Sequence, residues 1–205
     1  MAEADAGRSA TVRFAAIVLA AGESSRMGAP KMTLPFRGST MVEAVVAAAS
    51  ASGAEPVVVV TGFHGEEVAS AVRDRAVLVD NPDPTAGNAS SLRVGLAVLD
   101  DVDAAAVLLG DMPGVDPEVV RLLATRVIAS GATAGIVHYT DGPGHPIVLS
   151  SASFLTAATL EGPRALWRFI ARLDEREVLE LGVNSASPVD VNTTADYHTL
   201  LERDR

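Results

Sequence analysis

Two cations, Arg26 and Lys31, follow an apolar run and a small-residue turn in the stretch Ile17-Val18-Leu19-Ala20-Ala21-Gly22-Glu23-Ser24-Ser25-Arg26-Met27-Gly28-Ala29-Pro30-Lys31. Gly22 and Gly28 carry no Cβ, so backbone N–H groups beside them can approach a phosphate closely. A guanidinium at Arg26 can fork onto phosphate oxygens, and the Lys31 ammonium can act as a point charge. A strand, a glycine-bearing loop and then cations is an arrangement that holds a nucleoside triphosphate by its backbone amides and neutralises it. The stretch is not a P-loop, because Gly-x-x-x-x-Gly-Lys-Ser/Thr does not occur. Nor is it the dinucleotide fingerprint, since Gly22 is followed by Glu23-Ser24 and not by x-Gly.

Further oxygen and nitrogen ligands stand downstream. Gly110-Asp111-Met112-Pro113 follows an apolar run. A carboxylate there suits Mg²⁺, a hard cation that often takes one or two protein carboxylates and leaves the rest to phosphates. It equally suits a turn that ends a strand. In Val189-Asp190-Val191-Asn192-Thr193, Asp190 and Asn192 alternate and would point the same way in an extended chain. Asn192 offers a carbonyl oxygen without charge, or else Asn192 to Thr194 only cap the following helix. The segment Asn81 to Leu92 reads as a loop entering a helix capped by Ser90 or Ser91, with free amides at its start. Gly142-Pro143-Gly144-His145-Pro146 is a constrained turn around one histidine that could donate to a ligand oxygen. Arg164, Arg168 and Arg172 recur every fourth residue, opposite an apolar stripe of Ala165, Leu166, Phe169, Ile170 and Leu173. His64 and His138 read as structural.

Composition narrows the setting. The 205 residues suffice for one domain with a substantial core. Hydrophobic residues make up 48% and aromatics only 4%, so that core is built from Ala, Val and Leu. A net charge of −10 argues against a nucleic-acid partner, which needs a basic face. The absence of Cys excludes disulfides, thiolate metal sites and a cysteine nucleophile, and fits a cytoplasmic protein. No apolar run reaches the roughly 18 residues of a membrane span. Residues 1–13 read as a flexible polar tail ahead of a domain over 14–205.

These groups need elements to place them. Strands are expected at Phe14–Ala20, Pro56–Thr61 with its four consecutive valines, Ala76–Val79, Ala104–Leu109 and Ala132–His138. Helices are expected between them at Met41–Ala51, Glu66–Val72, Ser90–Leu99 and Pro117–Ala129. This alternation predicts a mostly parallel, Rossmann-like sheet covered by helices on both sides, with ligands beyond the carboxyl ends of its strands. After Tyr139 the rhythm breaks into a turn-rich Thr140–Pro146 and a short strand Ile147–Leu149. A helix over Pro163–Leu173, a strand over Glu177–Leu181 that returns to the sheet and a closing helix over Thr194–Glu202 follow.

The pattern Leu-Ala-Ala-Gly-x-Ser-x-Arg-Met-Gly-x-x-Lys over Leu19 to Lys31 resembles the signature of the MobA-like nucleotidyltransferases, and within them the molybdenum cofactor cytidylyltransferases. Gly-Asp-Met-Pro, Gly-x-x-Ser-Ser-Leu and Pro-Gly-His-Pro support the resemblance, which extends from about Phe14 to Leu201. It implies a single three-layer α/β/α domain of the nucleotide-diphospho-sugar transferase type. The nucleotide half would be about 14–115 and the acceptor half about 116–205. It implies a nucleotide site at Leu19, Ala20, Ala21, Gly22, Ser24, Ser25 and Gly28, completed by Gly87, Ser90 and Ser91. Arg26, Lys31 and Asp111 would be catalytic, and Asp111 with Asp190 and Asn192 would hold Mg²⁺ or Mn²⁺. Gly144, His145, Pro146 and Arg164 would meet the acceptor. Its implied partners are CTP or GTP, a small phosphorylated acceptor such as molybdopterin, and a molybdoenzyme that receives the product. The chain departs from the family's pattern at Asn192, where the second Asp usually sits, at Thr194, where the Pro sits, and at Asn88 and Ala89, which are not the most usual residues between the Gly and the first Ser. Two other readings stay open. One is a cytidylyl- or guanylyltransferase acting on another small phosphate, such as methylerythritol phosphate. The other is a non-catalytic nucleotide or cofactor carrier in enzyme maturation.

Overall fold

A computed structural model describes residues 12–204 of the chain. Its strands are β1 (Phe14–Leu19), β2 (Pro35–Phe36), β3 (Ser39–Thr40), β4 (Val57–Thr61), β5 (Val77–Asp80), β6 (Ala104–Leu109), β7 (Ala134–Tyr139), β8 (Gly142–Ser150) and β9 (Val178–Gly182). Its helices are α1 (Met41–Ala51), α2 (Gly65–Val72), α3 (Asn88–Ala97), α4 (Pro117–Ser130), α5 (Phe154–Ala157), α6 (Ala165–Ile170) and α7 (Thr194–Arg203). Seven strands form one sheet in the order β5-β4-β1-β6-β8-β7-β9, and β2 pairs with β3 in a separate hairpin. All neighbours in the large sheet run parallel except β8, which is antiparallel to both β6 and β7.

The central strands carry no polar alternation because both their faces are covered. Every residue of β1 and of β4 is buried. Val42, Val45, Val68, Val120 and Leu123 of α1, α2 and α4 pack against Ala16, Val18 and Val59 on one face. Leu92, Leu96, Ala157 and Phe169 of α3, α5 and α6 pack against Ile17, Val58 and Val107 on the other. Small residues let these layers approach. A Cβ on Gly95 of α3 would lie 2.6 Å from Ile17 Cγ2, so the helix backbone rides directly on β1. Thr40 with Glu43 and Thr193 with Asp196 form capping boxes that start α1 and α7, each satisfying otherwise orphaned backbone donors.

Four expectations need correction. The segment taken as a turn followed by a short strand is one nine-residue strand, β8. The irregularity the prolines announce is a register shift opposite Ile136 and Val137, and Ile147 to Ser150 alone pair with β6. The basic stripe does not form, because α6 spans only six residues and ends before Arg172. Gly162 at φ 75° and Arg164 at φ 54° turn the chain through the left-handed region first, and Arg168 donates to the Glu161 carbonyl. Neither Ser90 nor Ser91 caps α3, which starts from Gly87. Arg13, placed in the tail, is tied to the fold by a two-pronged ion pair with Asp101 and by backbone bonds to Asp103. The remainder of that tail, residues 1–11, lies outside the described residues.

Candidate functional site

The carboxyl end of β1 releases the chain into an open loop. Ala20 still donates to Val60, but among the described residues the amides of Ala21 to Arg26 donate to no protein acceptor. Ser24 sits at φ 58°, in the left-handed region that a side chain enters at a cost, and its hydroxyl accepts from the Lys31 amide at 3.2 Å. A Cβ on Gly22 would meet no protein atom within 4 Å. Nothing inside the protein therefore requires glycine there, as expected of a backbone kept bare for a ligand.

Lys31 is not an exposed loop cation. It opens a single turn of 3₁₀ helix at Lys31–Thr33 and is only 7% exposed. Its ammonium uses its donors on three acceptors: Asp111 Oδ2 at 2.5 Å, the Val191 carbonyl at 3.0 Å and Asn192 Oδ1 at 3.1 Å. Asn192 Oδ1 also accepts from the Arg26 guanidinium at 3.0 Å. One cluster thus joins the loop after β1, the residue two positions beyond β6 and the segment entering α7. Gly110 makes the approach possible, because a Cβ there would lie 3.2 Å from the Leu19 carbonyl and 3.0 Å from Met32 Sδ. The 191–192 segment is itself fastened by the amide of Val191 donating to the Asp111 carbonyl at 3.1 Å.

Asp190 lies beside this cluster, and its carboxyl is pushed above the usual carboxylate range, first by burial and then by the charge of Asp111. Asn192 donates to it and Lys31 attracts it, which partly offsets that rise. Two carboxylates and an amide oxygen around one spot are oxygen donors suited to Mg²⁺ or Mn²⁺, with phosphate oxygens completing the shell. Among the described residues no three His, Cys, Asp or Glu side chains converge. The donor set thus fits a cation shared with a phosphorylated ligand more than a closed protein cage.

The segment entering α3 is built around a buried asparagine that sequence reading passed over. Asn81 Nδ2 donates to Ser90 Oγ at 2.8 Å and Ser91 Oγ at 3.0 Å, while its Oδ1 accepts from the Asp83 amide at 3.0 Å. Ser90 and Ser91 are each 2% exposed, so their hydroxyls fasten the loop from below and do not line its surface. Its exposed edge is Asp83 to Asn88, with Gly87 at φ 82°. Asn81→Ala removes the donor to the Ser90 and Ser91 hydroxyls and the acceptor of the Asp83 amide, although Ser90 keeps its own bonds to the Asp83 and Gly87 carbonyls. The substitution is expected to cost about 1–3 kcal/mol in chemical denaturation. A midpoint unchanged from the parent would show that the loop holds without it.

On the other side of β6 lies an apolar recess. Leu19, Leu92, Val107, Leu109 and Leu166 line it, and Asn88, His145 and Arg164 supply its polar groups. The structure therefore brings His145 and Arg164 together. Gly144 and Pro146 flank His145 on β8, where a Cβ on Gly144 would press to 3.0 Å on the Tyr139 ring. The Tyr139 hydroxyl donates to the His145 carbonyl at 2.7 Å, and the Trp167 ring meets the imidazole edge-on at 5.9 Å. Burial pushes the His145 pKa down, against weaker upward effects of the Val107 carbonyl and Asp190. The ring is then neutral near pH 7. Its Nδ1 faces the Val107 carbonyl at 3.3 Å, and a carbonyl can only accept, so Nδ1 carries the proton. Nε2 is left as an acceptor, which corrects the expectation that His145 donates to a ligand oxygen.

The family model described as MobA-like NTP transferase domain matches residues 16–178. The molybdenum cofactor cytidylyltransferase of Escherichia coli (strain K12) is 26% identical, over 91% of this chain and 95% of that protein. The nicotine blue oxidoreductase of Paenarthrobacter nicotinovorans is 34% identical, over 90% and 95% respectively. Bifunctional protein GlmU of Rhizorhabdus wittichii is 35% identical over 60% of this chain, which spans only 28% of GlmU's length. Among solved structures, Rv0371c from Mycobacterium tuberculosis H37Rv superposes with a TM-score of 0.82 at 33% identity, covering 93% of this chain and 98% of its own. Its complex with manganese superposes with a TM-score of 0.78, covering 93% of this chain and 99% of its own.

Proposed function

The chain belongs to the MobA-like NTP transferase family, and from that premise we propose that it transfers a cytidylyl group from CTP to a phosphorylated acceptor, most specifically molybdopterin, with release of pyrophosphate. The observation that carries the reading is the Lys31 ammonium, fixed at once on Asp111, Val191 and Asn192 beneath a loop of undonated amides. An acceptor phosphate oxygen attacks the α-phosphorus. The bond from that phosphorus to the bridging oxygen breaks, and pyrophosphate departs with its electron pair. The attacking group is already an anion near neutral pH, so the protein needs no strong general base. Catalysis is positioning and charge neutralisation.

The residues divide the work. Amides of Ala21 to Arg26 hold the triphosphate, and Arg26 and Lys31 offset the charge that crowds as nucleophile and leaving group meet. Asp111 and Asp190, with Asn192, would hold Mg²⁺ or Mn²⁺, which supplies Lewis-acid neutralisation of the phosphate oxygens when bound. The apolar recess with Asn88, His145 and Arg164 receives the acceptor, Arg164 taking its phosphate. The nucleotide half then corresponds to about 14–115 and the acceptor half to about 116–205, with a molybdoenzyme as recipient of the product. Among the described residues no helix is long and apolar enough to cross a membrane.

The choice of CTP rests on Ala21. Its methyl packs towards Gly62, where an added Cβ would lie 2.8 Å away, with Pro84 on the same contact. We take the Ala21 side chain, where guanylyl-transferring relatives often carry glycine, to narrow the base pocket in favour of a pyrimidine. In a pyrophosphate-release panel of CTP, GTP, ATP and UTP against molybdopterin and methylerythritol phosphate, CTP with molybdopterin is expected to be fastest. Ala21→Gly should shift the GTP-to-CTP ratio upwards by about tenfold, the low end of the roughly 1–3 kcal/mol that one methyl is worth. A parent enzyme that prefers GTP would overturn the base assignment. Because one relative carries an oxidoreductase name, the panel includes NADH and NADPH with a dye acceptor; the absent dinucleotide fingerprint predicts no turnover there.

A further inference from the structure

We propose that His64 is a positioning residue that holds the triphosphate loop in its binding shape, a role resting on the nucleotide site proposed above. His64 lies between β4 and α2, outside the loop it touches. Its Nε2 meets the Glu23 carbonyl at 2.9 Å, across 41 residues of sequence. A carbonyl can only accept, so Nε2 bears the proton, and Nδ1 faces outward to Glu67 Oε1 at 4.0 Å. The contact fixes the middle of a loop that has few others. Between Ala20 and Met27 the backbone donates nothing to the protein among the described residues, and Ser24 is held at φ 58°. A peptide unit is rigid and planar, so fixing the Glu23 carbonyl fixes the Ser24 amide on the opposite side of the same unit. That amide is one of those left to a phosphate.

A second contact from the same turn sets the loop's root. Gly62, two residues before His64, is packed so tightly that a Cβ would lie 2.8 Å from both the Ala21 carbonyl oxygen and the Ala21 Cβ. The turn is stiffened in its own right, since the Gly65 amide donates to the Gly62 carbonyl at 3.1 Å and the Val68 amide to the His64 carbonyl at 3.0 Å. Gly62 and His64 therefore form a template: one seats Ala21, the other pins Glu23, and the bare Gly22 is held between them. Without the pin, the loop must be ordered by the nucleotide itself, which lowers affinity without altering the reacting groups.

The test uses the full chain with His64→Ala and His64→Gln, and reads CTP affinity by calorimetry with Mg²⁺, the kcat and KM for CTP, and the thermal midpoint. Removing one hydrogen bond that preorders the loop should raise the CTP Kd and KM about tenfold. The kcat should stay within about twofold, the pattern of lost uniform binding. His64→Gln, which keeps an N–H at the end of a side chain of similar reach, should recover most of the affinity. A Kd unchanged in His64→Ala while the parent binds CTP overturns the positioning role. So does a loss of affinity that His64→Gln fails to recover, or one matched by a collapse of the thermal midpoint in both variants. A parent that binds no nucleotide overturns the nucleotide site itself, an outcome separate from these.

Discussion

Lys31→Ala is expected to lower the rate of pyrophosphate release by roughly 100- to 1,000-fold, as removal of a preorganised charge facing a transition state does elsewhere. Among the described residues no other ammonium or guanidinium is seated on Asp111 and the Val191 carbonyl. Among the described residues Arg26 hydrogen-bonds Asn192 alone through its side chain, and it is exposed. The variant also has a structural consequence. It leaves Asp111, whose side chain is 15% exposed, beside Asp190 with no cation between them. A loss of about 1–3 kcal/mol in stability follows from leaving such a group without its partner. Added Mg²⁺ or Mn²⁺ should restore part of that stability, because either ion neutralises the same carboxylates, while activity stays low. Activity within a few-fold of the parent in a folded variant would remove Lys31 from the chemistry.

Asp111→Asn is expected to cost a comparable factor, about 100-fold or more, through a different cause. The amide still accepts a hydrogen bond from Lys31, so the local frame survives. What disappears is one of the two carboxylates near Asn192, and with it the stronger hold on a divalent cation. Rate titrated against Mg²⁺ should therefore shift to higher concentrations as well as fall at saturation. Superimposable titration curves for parent and variant would make Asp111 a turn residue that ends β6.

The parts of this site legible in the sequence are those whose chemistry and position coincide. Four valines in a row can be buried only where both faces of a strand are covered, which placed β4 inside the sheet. Lys31 and Asp111 each follow such a strand, so both were expected at its carboxyl end. The antiparallel β8 was hidden because Pro143 and Pro146 fit a turn as readily as a strand whose register shifts. The helix after Gly162 was read too long because residues every fourth position imply a stripe only if φ stays helical, and Arg164 does not.

The contacts that assemble the cluster were less accessible for another reason. The Val191 carbonyl that accepts from Lys31 has no side-chain signature, and its partner lies 160 residues away. His64 acts on the backbone of a loop 41 residues away, so nothing beside it in sequence marks the role; Asn81 acts within its own segment, where an asparagine before a proline reads as an ordinary turn residue. Ser90 and Ser91 look like caps because they are polar residues near a helix start, yet both hydroxyls turn inward to accept from Asn81. Fold class, which depends on apolar periodicity, was thus readable well before the hydrogen-bond network was.

The most direct test is single-turnover label transfer. The protein, in excess over α-phosphate-labelled CTP, is mixed with molybdopterin and Mg²⁺, and product and pyrophosphate are quantified together. One labelled cytidylyl-linked product should appear for each pyrophosphate released, and both should vanish in Lys31→Ala and when the metal is chelated. Pyrophosphate without labelled product, product formed at the parent rate by Lys31→Ala, or no product with any nucleotide and either acceptor would contradict cytidylyl transfer at this cluster.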